Sequence, residues 1–297
     1  VTRDTGHDEV TALSDVDSAC SPAVAKLGAG EGHSDGSGEH AMAADGTLGV
    51  AAPAAPSAEG GEGEHFTRPV VRCVSWWHSG DTNITVGTQV DGIVVMMLVV
   101  VTLISLLVHI FSTDYVHGDR RYTHYFAFLS LFTASMLFFV MSQSTIQMIV
   151  GWELVGVCSF VLIGHWWEEK PNSDAAMKAF LTNRVGDIGL LVGMTVLFWA
   201  SGKTFSIMDI NIAATRGAIS QTAMTVVSLS LLAAVMSKSG QFILHTWLPD
   251  AMAGPTPVSA LIHAATMVVA GIFMVARLYP VFFEGLSIAG GSSNMLA

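Results

Sequence analysis

The sequence predicts an all-α membrane protein: a bundle of six spanning helices, one of them broken, preceded by an irregular acidic segment. Hydrophobic residues make up 51% of the chain and charged residues only 12%, which is typical of a chain embedded in lipid. The charge is unevenly placed, because the first 91 residues hold 14 acidic and four basic side chains, against ten and nine in the rest. This acidic balance excludes a nucleic-acid-binding protein, which needs Lys and Arg to displace counterions from phosphate.

The composition divides the chain into three parts. Residues 1–75 form a low-complexity, non-membrane segment rich in Gly, Ala, Ser, Asp and Glu, with too few apolar side chains to offset the entropy of ordering. Residues 76–91 form an extended connector, and residues 92–297 form the transmembrane domain. Cys20 and Cys73 either form a disulfide, if the first part faces an oxidising compartment, or remain free thiols.

Six stretches are long and apolar enough to cross about 30 Å of hydrocarbon at 1.5 Å per residue. They are Gly92–Phe111, Tyr125–Met141, Thr145–Trp166, Ala175–Ala200, Ala223–Leu244 and Pro257–Leu278. The fifth runs into Pro249, Pro255 and Pro257, so we expect it to break inside the membrane. Freed backbone groups are tolerated at that depth only inside protein or beside water, and the break therefore indicates an ion path. Residues 205–219 are too short and too polar to span, so we expect them on the surface.

Loop charges predict the orientation of the bundle. Arg120, Arg121 and Lys170 lie in loops at one end, whereas the sizeable loop at the other end holds only Lys203 and Arg216. By the positive-inside rule, the first end faces the matrix or cytoplasm. The acidic N-terminal segment then lies on the opposite surface.

Ionisable residues inside the predicted spans indicate the function. A charge at the bilayer centre costs about 2.5–3.5 kcal/mol, so such residues usually face a partner or a hydrated cavity. Glu153 and Lys238 lie mid-span on different helices, His245 lies at the break and His263 follows it. An acid, an amine whose proton affinity depends on its surroundings and two imidazoles are the components of a proton relay. A static ion pair that joins two helices is the alternative interpretation of Glu153 and Lys238.

Other polar residues have structural explanations. Arg184 and Asp187 are three residues apart on one predicted helix, so they share a face and can form an ion pair. This pair by itself accounts for the two charged residues inside the span. His245 is explained equally well by a hydrogen bond to a carbonyl freed by the prolines. The histidines at span ends are interpreted as interfacial side chains without a role: His109, His117, His124 and His165. No iron–sulfur, haem, flavin or metal-ligand motif occurs, so we expect no cofactor or metal on this chain.

Three blocks of sequence carry a family resemblance. They are GWELVGVCS from Gly151, KAFLTNRVGD from Lys178, and the long block KSGQFILHTWLPDAMAGPTPVSALIHAATMVVAG from Lys238. The chain resembles subunit 5 of mitochondrial NADH:ubiquinone oxidoreductase (respiratory complex I) over residues 76–283, roughly two thirds of its length.

The resemblance implies an antiporter-like bundle of two inverted helical repeats, each with one broken helix. It implies that Glu153 and Lys238 form the charged pair of a proton half-channel, that His245 and His263 lie along the proton route, and that Asp187 is a carboxylate associated with it. It also implies the mitochondrial inner membrane, an N-terminal segment toward the intermembrane space, and contacts with lipids and other membrane-arm subunits. NADH oxidation and ubiquinone reduction, with FMN and iron–sulfur clusters, are then expected in other subunits.

The sequence departs from the family at both ends. The family begins with two spanning helices, where this chain has the acidic segment, and continues through a second repeat, whereas this sequence ends at Ala297. We therefore expect a split subunit whose second half is another polypeptide. The alternatives are an antiporter-type or plastid-type subunit, and a membrane scaffold that has lost transport. Glu153, Lys238, His245 and His263 together favour transport, because a scaffold gains nothing from charges in lipid.

Overall fold

The structure is a computed structural model that describes residues 69–79, 82–264 and 266–287. Within these ranges two β-strands precede ten α-helices. The strands are β1 (Val70–Ser79) and β2 (Thr82–Val90). The helices are α1 (Gly92–Tyr115), α2 (Tyr122–Val140), α3 (Thr145–Ile163), α4 (Lys170–Ala200), α5 (Ile207–Thr215), α6 (Gln221–Lys238), α7 (Trp247–Asp250), α8 (Thr256–Ala264), α9 (Met267–Arg277) and α10 (Tyr279–Gly285).

The six predicted spans are confirmed, with shifted ends. Helices α1, α2, α3, α4 and α6 are each long and apolar enough to cross a membrane, and α8 with α9 forms the sixth such stretch. Helix α4 begins at Lys170 rather than Ala175, because Pro171 fits the first turn, where its missing N–H is not needed. The segment predicted to lie on the surface contains the short helix α5.

The predicted connector is part of a β-hairpin. Strands β1 and β2 pair antiparallel, from Val70 opposite Val90 to Ser79 opposite Thr82, so the boundary predicted after residue 75 falls within β1. Cys73 of β1 is disulfide-bonded, and Cys158 is a buried free thiol. Cys20, like the rest of the segment up to residue 68, lies outside the described residues.

The spanning helices alternate in direction between two ends of the bundle. We call the end that carries β1 and β2 the hairpin end, and the end that carries Arg120 and Arg121 the arginine end. Helix α1 leads from the hairpin end to the arginine end, and α2, α3 and α4 follow in alternation. The sixth span starts at the arginine end, where the Tyr115 hydroxyl lies 3.3 Å from that of Thr256. It finishes at the hairpin end, where Arg277 forms an ion pair with Asp91.

Helix α6 ends at Lys238, six residues before the predicted end of the fifth span, and the prolines do not cause this. Gly240 adopts a left-handed φ of +59°. The backbone amide of Gln241 donates to the Met236 carbonyl at 2.8 Å, and the backbone amide of Gly240 donates to the Ser237 carbonyl at 3.2 Å. This is the Schellman pattern that closes a helix after its last turn.

The predicted prolines instead shape the segment that follows the break. Pro249 lies inside the short helix α7. Pro255 comes directly before α8, where its carbonyl accepts from the Val258 amide at 2.9 Å, and Pro257 occupies the first turn of α8. All three therefore stand where a missing N–H is tolerated.

The sixth span is also broken, which the sequence does not predict. Helices α8 and α9 are separate, and the Thr266 hydroxyl donates to the Leu261 carbonyl at 2.7 Å beside the gap. The Ser239 hydroxyl, just beyond the end of α6, donates to the Val268 carbonyl of α9 at 2.7 Å. The two breaks therefore lie side by side, at the same depth in the bundle.

Small residues bring α4 and α6 together. A Cβ atom added to Gly186 would lie 2.1 Å from Ser237 Cβ, and one added to Gly189 would lie 2.4 Å from the carbonyl oxygen of Ser230. Close approach through small residues is the usual way in which helices associate in lipid. This packing fixes the end of α6, and with it Lys238, against α4.

We expect Gly189→Ala to destabilise the bundle by about 1–3 kcal/mol, because the added methyl group meets backbone that cannot rotate away. Thermal unfolding of the membrane complex in detergent measures the effect. Val192→Ala on the same helix is the control, because Val192 is 46% exposed and its truncation leaves the α4–α6 contact unchanged. Equal melting temperatures for the two variants would contradict the close contact.

Candidate functional site

Lys238 is a fully buried charge at a helix end. It is the last residue of α6, and its side chain has no exposed surface. The ammonium donates to the Trp152 carbonyl at 3.1 Å and lies 5.0 Å from the centre of the Trp152 ring. A Cβ atom on Gly156 would be 3.0 Å from Nζ, so the glycine leaves room for the amine. The C-terminal end of the α6 dipole also favours a positive charge here.

Trp152 connects Lys238 to a set of charged side chains on α3 and α4. Its indole N–H donates to the Asp187 carboxylate at 2.6 Å, and Asp187 is buried. Arg184 lies 3.6 Å from Asp187 and forms an ion pair with Glu153. We call Glu153, Arg184, Asp187 and Lys238 the charged cluster. It joins three helices and contains two acids and two bases, so its formal charge is zero.

The direct pair expected between Glu153 and Lys238 is absent. Among the described residues the ion-pair partner of Glu153 is Arg184, whereas Lys238 bonds to backbone. Helix α3 explains the difference, because neighbouring residues on a helix point about 100° apart and Trp152, not Glu153, faces α6. The predicted i, i+3 contact of Arg184 with Asp187 is confirmed. The functional roles of these four residues remain predictions.

The structure places the two predicted histidines differently. The His263 ring on α8 stacks on that of Trp247, with centres 6.5 Å apart, and its buried Nε2 has no hydrogen-bond partner among the described residues. The Trp247 indole N–H donates to the Ser237 carbonyl at 2.9 Å. Because His263 stacks on Trp247, it lies close to the end of α6. His245 is exposed in the loop between α6 and α7. Its predicted role on the proton route is therefore not supported by a contact with the charged cluster.

Trp152 is the residue of this candidate site that the sequence does not predict. A tryptophan inside a span carries an N–H that needs an acceptor when buried, and the acids in neighbouring spans are candidates for it. Glu153, directly beside Trp152 in the sequence, is the more conspicuous residue because it is an acid inside a predicted span. Within the part of the chain that the structure describes, no group of three or more His, Cys, Asp or Glu residues could hold a metal ion.

His165 lies just beyond the end of α3, as predicted, but it is buried in the protein at the arginine end. Its Nε2–H donates to the Asp119 carboxylate at 3.2 Å, and its carbonyl accepts from Arg121 at 2.5 Å. Burial lowers the pKa of His165, and the hydrogen bond to Asp119 only partly opposes this. A hydrogen bond from the Arg121 backbone lowers the pKa of Asp119. These contacts tie the α1–α2 loop to the α3–α4 loop.

Comparisons with known proteins agree with this architecture. Residues 142–292 match the family described as the transmembrane part of NADH:quinone oxidoreductase and Mrp antiporter, and residues 76–126 match the family described as the N-terminus of complex I chain 5. A chain of the Mrp complex from Dietzia sp. DQ12-45-1b has a TM-score of 0.63 at 28% identity, covering 73% of this chain and 24% of that one. The predicted antiporter-like helical fold is thereby confirmed.

Similar proteins come from cyanobacteria and chloroplasts. NAD(P)H-quinone oxidoreductase chain 5 of Picosynechococcus sp. is 48% identical over 212 residues, covering 70% of this chain and 32% of that protein. The chloroplast NAD(P)H-quinone oxidoreductase subunit 5 of Nephroselmis olivacea is 45% identical over 227 residues, covering 73% of this chain and 34% of that protein. The chain thus spans about a third of the length of these relatives.

We expect acid to weaken the arginine end. Because the pKa of His165 is lower in the folded protein than its ordinary value of about 6.5, the stability linked to its neutral form is present above that pH and is lost as the pH falls through the folded pKa. Hydrogen exchange of residues 116–121 and 164–169 between pH 8 and pH 5 measures this. A His165→Gln variant should lose the pH dependence, and an unchanged profile in that variant would contradict the assignment.

Proposed function

The chain belongs to the family of NADH:quinone oxidoreductase and Mrp antiporter membrane subunits that includes complex I chain 5, and on this premise we propose that it supplies a proton-translocating half-channel to an NADH:quinone oxidoreductase. The observation that carries the proposal is the fully buried Lys238, which is held between the Trp152 carbonyl and the charges of α4. A buried ammonium at such a position is costly, and a proton carrier is the function that requires it.

The depth of Lys238 supports this role. Gly156, which adjoins its ammonium, is 11 residues from the start of α3 and seven from its end. At 1.5 Å per residue these separations are about 16 Å and 10 Å. In a bilayer with about 30 Å of hydrocarbon the amine lies near the centre. A proton held there is separated from both aqueous phases.

Arg184 gives the charged cluster two electrostatic states. Asp187 attracts the ammonium of Lys238, and Arg184 repels it. When Arg184 bonds Glu153, the negative charge of Asp187 is available to hold a proton on Lys238. When Arg184 moves onto Asp187, from which it is only 3.6 Å away, that charge is cancelled and Lys238 releases its proton to water. The proton leaves Nζ, the lysine becomes neutral, and no other group changes its protonation.

The two helix breaks supply polar groups along the route. The loop after Lys238 and the gap between α8 and α9 place backbone carbonyls and the unpartnered Nε2 of His263 at the same depth. A cleft of about 580 Å³ opens toward the arginine end beside α4 and α7. There Lys178 Nζ lies 2.5 Å from Asp250. We propose that protons reach the charged cluster through this cleft, with His245 and His263 as relay groups.

The redox reaction takes place in other subunits. Moving one proton against 100 mV requires about 2.3 kcal/mol, so the charge movement has to be driven. We propose that NADH oxidation and ubiquinone reduction drive it, with FMN and iron–sulfur clusters bound elsewhere in the complex. This chain provides the charged cluster, in which Lys238 gains or loses its proton in response to that reaction.

We propose the mitochondrial inner membrane as the location, with the hairpin end toward the intermembrane space. A second candidate is a plastid or cyanobacterial type of complex, which the names of the similar proteins favour. Purification of the assembled complex and identification of its redox subunits by mass spectrometry separates the two. An FMN-containing, NADH-oxidising arm supports the first location, and its absence supports the second.

We propose further that a second polypeptide continues the fold beside α6 and α7. The support is the loop between them, in which Phe242 is 81% and Ile243 67% exposed. Ile243 also has a φ of +82°, an unfavourable value for a β-branched residue, which an isolated loop would relax. A polar break left against lipid would cost several kcal/mol per unpaired backbone group.

We expect Lys238→Met to abolish proton transfer through this chain while the complex still assembles, because Met is similar in volume to Lys and the contacts of Arg184 and Trp152 with the two carboxylates do not involve Lys238. Proton uptake into vesicles and the amount of complex on native gels are the two measurements. Lys203→Met, at an exposed position, is the control. Unchanged pumping in Lys238→Met would support a scaffold instead.

The second polypeptide is tested by a photo-crosslinking amino acid in place of Phe242. We expect an adduct with a membrane polypeptide that carries its own broken helix. The same probe at Leu107, which is 58% exposed on α1, reports the surface outside the proposed contact. Labelling of lipid alone at position 242 would exclude the split subunit.

A further inference from the structure

An apolar groove lies between the β-hairpin and the helices of the bundle. Its volume is about 480 Å³, and β1 and β2 line one side while the ends of α2 and α3 line the other. The apolar side chains that line it are Val74, Trp76, Val86, Phe138, Ile146 and Val150. Val74 is 74% exposed and Trp76 is 73% exposed. An exposed apolar surface of this kind indicates a site of interaction.

The register of the hairpin places these strand residues on its outer face. Val74 pairs with Val86 across the two strands, so their side chains share a face. Gly87, the next residue of β2, belongs to the opposite, inner face. Its amide donates to the side-chain oxygen of Gln147 on α3 at 3.0 Å, which holds the hairpin against the bundle. The groove therefore runs between the outer face of a fixed hairpin and the two helices.

The groove lies at the boundary of the hydrocarbon. Helix α3 has 19 residues, which give a length of about 28 Å, close to the thickness of the hydrocarbon core of about 30 Å. Its first residues therefore lie near the boundary. Val150 is five residues after Thr145, so it lies about 8 Å inside. Trp76 of the hairpin is then at the level of the lipid headgroups, where tryptophan is enriched.

The chemistry of the lining favours an acyl chain as the occupant. The Ser75 hydroxyl donates to the Asn83 side-chain oxygen at 2.6 Å, and the Gln147 oxygen accepts from Gly87, so these polar atoms already have partners. A spanning helix is about 10–12 Å wide, and the hairpin would block its path out of the membrane. An acyl chain is narrower and can lie beneath the hairpin.

Arg72 supplies the charge that a lipid headgroup needs. It lies two residues before Val74 on the same face of β1, at a distance of about 7 Å along the strand. Its side chain is exposed, and none of the ion pairs between described residues involves it. A guanidinium can bind a phosphate through two parallel hydrogen bonds. The groove and Arg72 together therefore match both parts of a phospholipid.

We propose that this groove binds a phospholipid, with one acyl chain between the hairpin and the ends of α2 and α3 and with the phosphate on Arg72. Beyond the groove the chain continues along α3, where Leu154 and Val157 are exposed on the same face as Val150. The bound lipid fills the space between the hairpin and the bundle. Lipid binding at this site does not depend on proton transfer through the charged cluster.

A phosphatidylcholine with a photoactivatable diazirine on one acyl chain tests the site in the assembled complex. We expect it to label peptides that contain residues 70–90 and 138–150. Arg72→Gln should lower this labelling about fivefold, the effect of one basic residue at a lipid surface. Arg216→Gln, also exposed at the hairpin end, is the matched control. A diacylglycerol with the same photoactivatable chain lacks the phosphate, so Arg72→Gln should leave its labelling unchanged.

Val86→Trp fills the groove from the strand and should remove most of the phosphatidylcholine labelling. Val95→Trp is its control, because Val95 is 50% exposed near the hairpin end of α1, outside the groove. Equal labelling of Arg72→Gln and Arg216→Gln would overturn the headgroup contact, and equal labelling of the two tryptophan variants would overturn the groove. If Val86→Trp fails to assemble, a high-resolution structure of the native complex decides. An acyl chain in the groove supports the site, and protein side chains filling it refute it.

Discussion

The burial of the Lys238 ammonium is the constraint on which the rest of the structure depends. A charge near the bilayer centre is tolerated only with partners that offset its lost hydration. Here the partners are the Trp152 carbonyl and, through the Trp152 indole, the Asp187 carboxylate. They come from two other helices, so α3, α4 and α6 must meet at one depth. The absence of a Cβ on Gly156 and Gly186 permits that meeting.

The break after Lys238 follows from the same constraint. A continuous helix would surround the amine with the side chains of its next turn. Helix α6 instead closes directly after Lys238, with Gly240 in a left-handed conformation, and Trp247 and Ser239 bond the surrounding backbone. At the second break, between α8 and α9, the Thr266 hydroxyl donates to the Leu261 carbonyl. The unusual backbone is therefore concentrated where the charge needs polar surroundings.

The sequence is sufficient to predict the six spans and the residues of the charged cluster, because each depends on a local property: the length of an apolar run or a charge within it. The pairing inside the cluster is not predictable in this way. Whether Glu153 meets Lys238 or Arg184 depends on the rotation of α3 about its axis, which tertiary packing decides. The hairpin is missed for a different reason, since β1 begins in a stretch that composition assigns to the low-complexity segment. The position of His165 depends on Asp119, 46 residues earlier.

The glycine contacts between α4 and α6 have a mechanical consequence. Because the backbones of the two helices touch at Gly186 and Gly189, sliding one past the other would require a clash, and the pair is stiff along its length. The backbones at Asp187 and Lys238, one on each helix, therefore keep a constant separation. Helix α3 contacts Lys238 through the Trp152 carbonyl and is joined to α4 by the Trp152–Asp187 hydrogen bond and the Glu153–Arg184 ion pair. A change in the charge of the lysine consequently acts on α3, with the α4–α6 pair as its fixed support.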